Sequence, residues 1–328
     1  MRRALELAAL GGAAVRPNPL VGCVITDAQG RVLAEGWHQR YGGPHAEVHA
    51  LAALFKRPDA PASLAGLRVF VTLEPCAHQG KTPPCANLLA HHHATEVLVA
   101  TTDPNPLVAG QGIERLRAVG CHVTVGLLGE EARWQNRRFF TNQQYQRPWV
   151  VLKWAQSADG LLAGPAGGPT PISGEATRRL VHRWRTEEAA ILVGAGTARA
   201  DNPHLDARHW PGPAPVRVVL TGQQPLPPTL HLLQPPQPAL CYAFDTPLPA
   251  LLADLYRREV ASVLVEGGAT VLRAFIAADQ WDEIRVITAP LRLMAGLAAP
   301  VLPPGVALQR TDHLGADEIR YYRRAASC

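Results

Sequence analysis

His45, Glu47, Cys76 and Cys85 have the residue types and spacing of a hydrolytic metal centre. They lie in three short pieces: Pro44-His45-Ala46-Glu47, Glu74-Pro75-Cys76 and Thr82-Pro83-Pro84-Cys85. One histidine and two cysteines can give three ligands to a tetrahedral zinc and leave the fourth position to water. Water held there loses its proton near neutral pH and becomes a nucleophile. Glu47, not needed as a ligand, would carry protons between that water and a departing amine. Taken singly, His45 reads as a helix cap and each cysteine as a buried thiol. Together, with proline before Cys76 and the second cysteine nine residues on, they read as a site for one zinc per chain. The spacing departs from the C-x-x-C of nucleobase deaminases, because eight residues, AHQGKTPP, separate the cysteines. His49 does not extend the set: the protease pattern H-E-x-x-H needs glutamate where Ala46 stands, so His49 is expected to pack behind the site. His91-His92-His93 falls at a predicted helix end, where such side chains suit the C-terminal dipole.

These residues need a frame. Residues 2–11 pattern as a helix with Leu5, Ala8 and Ala9 on one face, and LVGCVIT (20–26) and RVLAEGW (31–37) as strands around the turn Asp27–Gly30. HAEVHALAALFK (45–56) predicts an amphipathic helix. Residues two apart on a regular helix diverge by roughly 200°, so His45 must sit at an irregular helix start to share a pocket with Glu47. LRVFVTL (67–73) predicts a buried strand whose end carries Cys76, where ligand sites of parallel sheets gather. Thr82 is a predicted N-cap with Pro83 at the first helical position, which puts Cys85 in a first turn whose dipole favours the thiolate. A strand at 96–101, a helix near 110–119, a strand at 122–126 and a closing helix over 130–148 follow. The alternation predicts a layered α/β domain. After Arg147-Pro148 the rhythm restarts, with strands at 149–156, 189–194, 216–221, 261–268 and 283–290 and helices near 174–187, 247–258 and 269–278. Two domains, 1–145 and 146–328, are expected.

Composition narrows the class. With 47% apolar and 18% charged residues over 328 positions, a soluble globular protein is expected. No apolar run reaches the ~18 residues of a membrane span. Cys23, Cys76, Cys85, Cys121, Cys241 and Cys328 are too sparse for a disulfide scaffold, which fits a cytoplasmic protein with one metal site. The N-terminal MRRALELAALGGAAVRPNP has the arginines and apolar run of a signal peptide, but Glu6 interrupts it. The net charge of +5 is mild and spread out, and a phosphorylated small molecule accounts for it as well as nucleic acid does. Only 6% of residues are aromatic, against the aromatic platform and basic track of a strand binder.

PNPLVGCVI (17–25), HQRYGGPHAEVHAL (38–51), VTLEPCAHQGKTPPC (71–85) and DPNPLVAGQGIERLRAVG (103–120) closely resemble the bifunctional riboflavin-biosynthesis deaminase/reductase family. The long cysteine spacing with GKTPPC is that family's variant, and the match covers nearly all of residues 4–143. The resemblance implies a zinc cytidine-deaminase-like three-layer domain with His45, Cys76 and Cys85 on the metal and Glu47 as proton donor. It also makes Asn18, His38, Lys81, Asp103 and Asn105 substrate contacts. Read from the residues alone, Lys81 is equally a solvated loop lysine, and Asn18 and Asn105, each between prolines, equally turn residues.

In the second half no G-x-G-x-x-G appears. VLVEGGATVLRAF (263–275) offers a strand, then Glu266, then Gly267-Gly268 leading into a helix, where a backbone can approach a phosphate. With LKWAQSADG (152–160), RRLVHRWR (178–185) and LVGAGTARADNPHLDAR (192–208), it resembles the reductase domain of the same family over about 149–290. That resemblance implies a dihydrofolate-reductase-like α/β domain using NADPH. Thr197, Asp201 and the turn Gly268, Ala269, Thr270, Val271, Leu272, Arg273 and Ala274 would hold NADP. Arg185, Leu205, Arg208 and Glu266 would hold the substrate, with Lys153 catalytic beside them. Arginine forks suit phosphate, while surface ion pairing is the alternative for Arg185 and Arg208. One departure is Thr170-Pro171-Ile172-Ser173: many relatives carry tryptophan at the place of Pro171, so no cofactor contact is transferred there. The expected activity is deamination of 2,5-diamino-6-(5-phosphoribosylamino)pyrimidin-4(3H)-one followed by NADPH reduction of ribosyl to ribityl. The expected setting is a cytoplasmic homo-oligomer with a small-molecule substrate and neither nucleic acid nor membrane as partner. The alternatives are a zinc deaminase with a non-functional reductase domain and a nucleic-acid-acting deaminase. The last ~30 residues either complete the sheet or cover a partner.

Overall fold

In the computed structural model, which describes residues 1–77, 84–105, 109–165 and 170–325, the chain divides into two units, Met1–Gln146 and Arg147–Cys328. Runs of β-branched and other apolar residues form five strands in the first unit. These are β1 (Gly22–Thr26), β2 (Val32–Trp37), β3 (Arg68–Val71), β4 (Glu96–Val99) and β5 (His122–Val125). They order as β2-β1-β3-β4-β5, with β1 antiparallel to both neighbours and β3, β4 and β5 parallel. The helices are α1 (Arg2–Ala9), α2 (Ala46–Phe55), α3 (Cys85–His91), α4 (Gln111–Ala118), α5 (Gly129–Gln135) and α6 (Arg137–Tyr145). Because strand side chains alternate, Ile25, Val71 and Val99 share one buried core with Leu54 of α2, Leu89 of α3 and Leu116 of α4. Val24 clusters separately with Ala4 and Leu7 of α1. Three layers result.

Three sequence expectations are corrected here. The buried stripe of α1 is Ala4, Leu7 and Ala8, one helical i, i+3, i+4 set, and Ala9 is exposed. The closing helix is two helices, because Asn136 leaves the helical register (φ −99°, ψ 17°) and spends its side chain on Leu20: Nδ2 donates to the Leu20 carbonyl and Oδ1 accepts from its N–H. Finally, α3 is capped by Pro84 and begins at Cys85. A residue preceding proline is disfavoured from the helical region, so the helix starts later than a Thr82 cap requires; Thr82 and Pro83 lie outside the described residues.

The second unit adds β6 (Trp149–Gln156), β7 (Leu161–Ala163), β8 (Ala190–Gly194), β9 (Val216–Leu220), β10 (Leu240–Tyr242), β11 (Ser262–Val265), β12 (Glu283–Thr288), β13 (Leu297–Ala298), β14 (Val306–Leu314) and β15 (Asp317–Arg324). Its helices are α7 (Glu175–Glu187), α8 (Ala195–Asp201), α9 (Leu248–Arg257) and α10 (Ala269–Ala277). Eight strands order as β10-β9-β8-β11-β6-β12-β15-β14, parallel from β10 to β12, with β15 antiparallel to both neighbours. The central strands are continuous apolar runs, as a sheet covered on both faces requires. Leu251, Leu255 and Phe275 of α9 and α10 build one core, and Val181 and Trp184 of α7 build another. The last segment, left open by the sequence, pairs as β14–β15 and completes the sheet, burying Ile319. Among the described residues no helix is long and apolar enough to cross a membrane.

Candidate functional site

The first site gathers where β3 ends and two helices begin. His45 is the N-cap of α2 with extended backbone (φ −76°, ψ 168°), and Glu47 follows in the first helical turn. That irregular start lets both residues line one cavity despite their spacing. Cys85 opens α3, and its N–H donates to Cys76 Sγ at 3.3 Å. His45 Nδ1 stands 3.6 Å from Cys76 Sγ and 3.4 Å from Cys85 Sγ, and the three donor atoms lie within 4.8 Å of one another. Tetrahedral bonds of about 2.3 Å to sulfur and about 2.05 Å to nitrogen put N and S about 3.6 Å apart, so this donor set fits zinc as it stands. Among the described residues this is the one group of three histidine, cysteine, aspartate or glutamate side chains placed to hold a metal, which leaves out His49 and His91–His93. Hydrogen bonds from Cys85 and His45 hold the Cys76 thiol well below its usual range, and sharing that proton pushes Cys85 up. Burial lifts the Glu47 carboxyl to about 7.

A cavity of about 370 Å³ lies against these residues, and Asn18, His38, Asp103 and Asn105 also line it. His38 Nδ1 is 3.0 Å from the Pro44 carbonyl, and His38 Nε2 is 3.1 Å from Asn18 Nδ2. A carbonyl only accepts, so Nδ1 carries the proton and Nε2 accepts from the Asn18 amide. Burial lowers the ring's pKa and keeps it neutral. Both nitrogens of His38 are therefore taken by protein, and the ring lines the cavity beside Asn18. Asp103 Oδ1 accepts from the Asn105 N–H at 2.8 Å, so Asn105 sits in an Asx turn and lines the cavity as well. Lys81 lies outside the described residues.

In the second unit, Lys153 of β6, Arg185 of α7 and Glu266 after β11 meet with little exposure. Arg185 Nε and Nη2 donate to the two Glu266 oxygens at 2.8 and 2.9 Å, and Arg185 Nη1 donates to the Asp206 carbonyl at 2.9 Å. Lys153 Nζ is 3.6 Å from Glu266 Oε2. Burial raises the Glu266 carboxyl, but the charges of Arg185 and Lys153 overcome it and bring it down to about 2. Burial lowers the Lys153 ammonium. Arg185 makes its pair with 14% of its side chain exposed, whereas Arg208 pairs with Asp206 at 2.7 Å with half its side chain exposed.

Gly267 is required by packing, since a Cβ there would come within 2.4 Å of Val193 Cα. Gly268 caps α10 at φ 63° and would bring its Cβ to 3.1 Å from Thr197 Oγ1. Asp201 closes α8, and burial raises its carboxyl. Along the predicted cofactor turn, Ala269, Val271 and Leu272 are buried in the core, while Thr270, Arg273 and Ala274 are exposed. Leu205 is buried in a core cluster with Val193 and Leu232, so any contact it makes with a ligand is through its backbone (φ 52°). Pro171 is exposed.

The model for the cytidine and deoxycytidylate deaminase zinc-binding region matches residues 1–101, and that for the RibD C-terminal domain matches residues 148–320. The chain is 34% identical to riboflavin biosynthesis protein RibD of Aquifex aeolicus, over 99% of this chain and 97% of that one. The chain belongs to the RibD family. Two solved structures are similar over 99% of this chain and 97% of theirs. One is RibD of Acinetobacter baumannii, with 33% identity and a TM-score of 0.89. The other, from Thermotoga maritima, has 34% identity and a TM-score of 0.88, and is named as a diaminohydroxyphosphoribosylaminopyrimidine deaminase/5-amino-6-(5-phosphoribosylamino)uracil reductase. The chain is a riboflavin-biosynthesis enzyme with a zinc-binding deaminase domain and a reductase domain, which disfavours the nucleic-acid-acting alternative.

Several cavity residues escaped the sequence reading. Tyr41, Glu74, Phe139 and Gln143 all line it. Phe139 and Gln143 are four apart on α6 and so share a face. Their only sequence signal was a pair of phenylalanines in an otherwise polar helix. Asn136, which ties α6 to the Asn18 segment through Leu20, carried no signal, because its partner is 116 residues away.

Proposed function

We propose that residues 1–145 hydrolyse 2,5-diamino-6-(5-phosphoribosylamino)pyrimidin-4(3H)-one to 5-amino-6-(5-phosphoribosylamino)uracil and ammonia. Residues 146–328 then reduce the ribosyl group to ribityl with NADPH. The observation that carries the reading is the His45, Cys76 and Cys85 donor set sharing a cavity with buried Glu47. Bound zinc supplies a water acidified to near neutrality. Deamination adds water at the carbon bearing the amine and expels ammonia. A proton must travel from the water to the amine, and Glu47, lifted to about 7, can hold it in transit near neutral pH. Asn18 gives its amide N–H to His38, so its Oδ1 is the atom that accepts from a substrate N–H. Asp103 and Asn105 bind the same substrate from the opposite loop, and Lys81 belongs to that binding set.

In the second unit NADPH supplies a hydride to the open-chain ribose carbon. Thr197, Asp201 and the Gly268–Ala274 segment hold that cofactor, supported by the glycine-led start of α10 beside Thr197. Glu266 and Arg185 bind the ribose phosphate end with Arg208 and the Leu205 backbone, and Lys153 is the adjacent proton source. The enzyme acts in the cytoplasm as a homo-oligomer.

The test mixes purified protein with the diaminopyrimidine and NADPH and follows ammonia and NADPH absorbance together. Ammonia release followed by NADPH loss is the expected course. Ammonia without NADPH loss would leave the deaminase standing and give the second unit another ligand. Chelating zinc should abolish ammonia release, restored by added zinc, while NADPH is still consumed when the deaminated compound is supplied. Asp201→Ala should raise the KM for NADPH about tenfold or more, the cost of one hydrogen bond to a charged group, and leave ammonia release unchanged. A parallel fall of both activities would show that the two units do not act independently.

A further inference from the structure

We infer that Glu74 is a positioning residue that holds the substrate-binding Asp103–Asn105 turn against the metal centre, an inference that rests on the deaminase reading. Glu74 stands two residues before Cys76 and is buried, yet the zinc set does not use it. Its carboxylate is filled by backbone amides from a distant segment. Oε2 accepts from the N–H of Asp103 at 3.1 Å and of Gly110 at 2.9 Å, and Oε1 accepts from Gly112 at 2.9 Å and Ile113 at 3.4 Å. The helix it caps, α4, has no side-chain cap of its own: its N-cap is Gly110 at φ 83°. First-turn N–H groups of a helix otherwise lack acceptors, and a carboxylate is the acceptor they favour.

The fit is close. A Cβ on Gly112 would lie 1.9 Å from the Pro75 carbonyl, so the start of α4 is pressed onto the Glu74-Pro75 backbone. Glu74 N–H also donates to the Thr101 carbonyl at 3.0 Å, which joins the ends of β3 and β4. One carboxylate thereby fastens Asp103 and, seven residues on, Gly110, while its own backbone leads directly to Cys76. Asp103 in turn holds Asn105 through its side chain. The chain of contacts runs from metal ligand to Glu74 to Asp103 to Asn105, and it fixes where the substrate contacts sit relative to the reacting centre. Both carboxylate oxygens are taken by amides, so Glu74 acts through the turn and exchanges no proton with substrate.

Glu74→Gln keeps the shape but turns an NH2 toward two backbone N–H groups. The expected result is a KM for the diaminopyrimidine raised about tenfold or more, with kcat within about threefold and one zinc per chain retained. In an Asn105→Ala background the same change should add little to KM, because both act on one turn. Unchanged KM with only a lower melting temperature, loss of zinc, or KM effects that multiply in the double variant would each overturn the inference. If Glu74→Gln does not fold, Glu74→Asp, one methylene short, is examined by hydrogen exchange. Faster exchange at the Asp103, Gly110 and Gly112 amides than in the unaltered protein supports the tether, and unchanged exchange refutes it. Absence of deamination in the unaltered protein would instead defeat the functional reading.

Discussion

Glu47→Gln should retain zinc and lose roughly 100- to 10,000-fold in deaminase kcat, the usual worth of a positioned acid–base group. The three donor atoms belong to His45, Cys76 and Cys85, so the metal does not depend on the carboxylate. Glutamine has the same shape and sits in the same buried first turn of α2, so the fold and cavity are preserved. What disappears is a group that can take and return a proton. Because burial lifts that carboxyl to about 7, both of its forms are accessible near neutral pH, and glutamine offers neither. Zinc content by atomic absorption beside ammonia release decides the matter. Metal loss in the variant would make Glu47 a ligand, and full turnover would move proton transfer to another residue. NADPH consumption on the deaminated compound should be untouched.

The His45, Cys76 and Cys85 donor set was legible because each residue belongs to a local pattern: a histidine before an apolar helix, and cysteines beside prolines at a strand end and a helix start. Even the conflict between His45 and Glu47 two residues apart could be posed from helix geometry, and the extended backbone of His45 answers it. What stayed hidden were contacts between distant segments. Glu74 reads as one letter of a ligand motif, yet the partners of its carboxylate are 29 to 39 residues away. Asn136 reads as an ordinary helix residue until Leu20 is set beside it. That Asn18 and Pro44 occupy both ring nitrogens of cavity-lining His38 could not be read from its neighbourhood in the sequence. In the second unit the long apolar strands were plain. Three-residue β7 and β10 were too short for periodicity to register, and the polar β14 is an edge strand whose identity comes from its partner β15.

Glu266→Ala should abolish NADPH consumption and lower the melting temperature of the second unit by roughly 6–20 °C, while ammonia release continues at temperatures where that unit is unfolded. The side chain is 9% exposed and answers two cations that are themselves little exposed, Arg185 with a bidentate pair and Lys153 at 3.6 Å. Removing the anion takes the paired carboxylate from both cations and leaves Arg185 with only Asp206, which costs about 3–5 kcal/mol for a buried pair, and domains of this size shift about 2–4 °C per kcal/mol. Proton linkage reaches a similar figure. A carboxyl brought from 4.5 down to about 2 is worth about 3 kcal/mol. Since the folded pKa is depressed, that stability is complete above about 4.5 and is lost as the pH falls toward 2. The unaltered protein should therefore lose second-unit stability across that interval, and the alanine variant should show a flatter slope there. Glu266→Gln should fall between, because one oxygen still accepts from Arg185. Calorimetry from pH 2 to 7 tests both. If the alanine variant melts with the unaltered protein at neutral pH, the cluster contributes no net stability and Glu266 serves the ligand alone. If the acid slope survives the substitution, another carboxylate carries it.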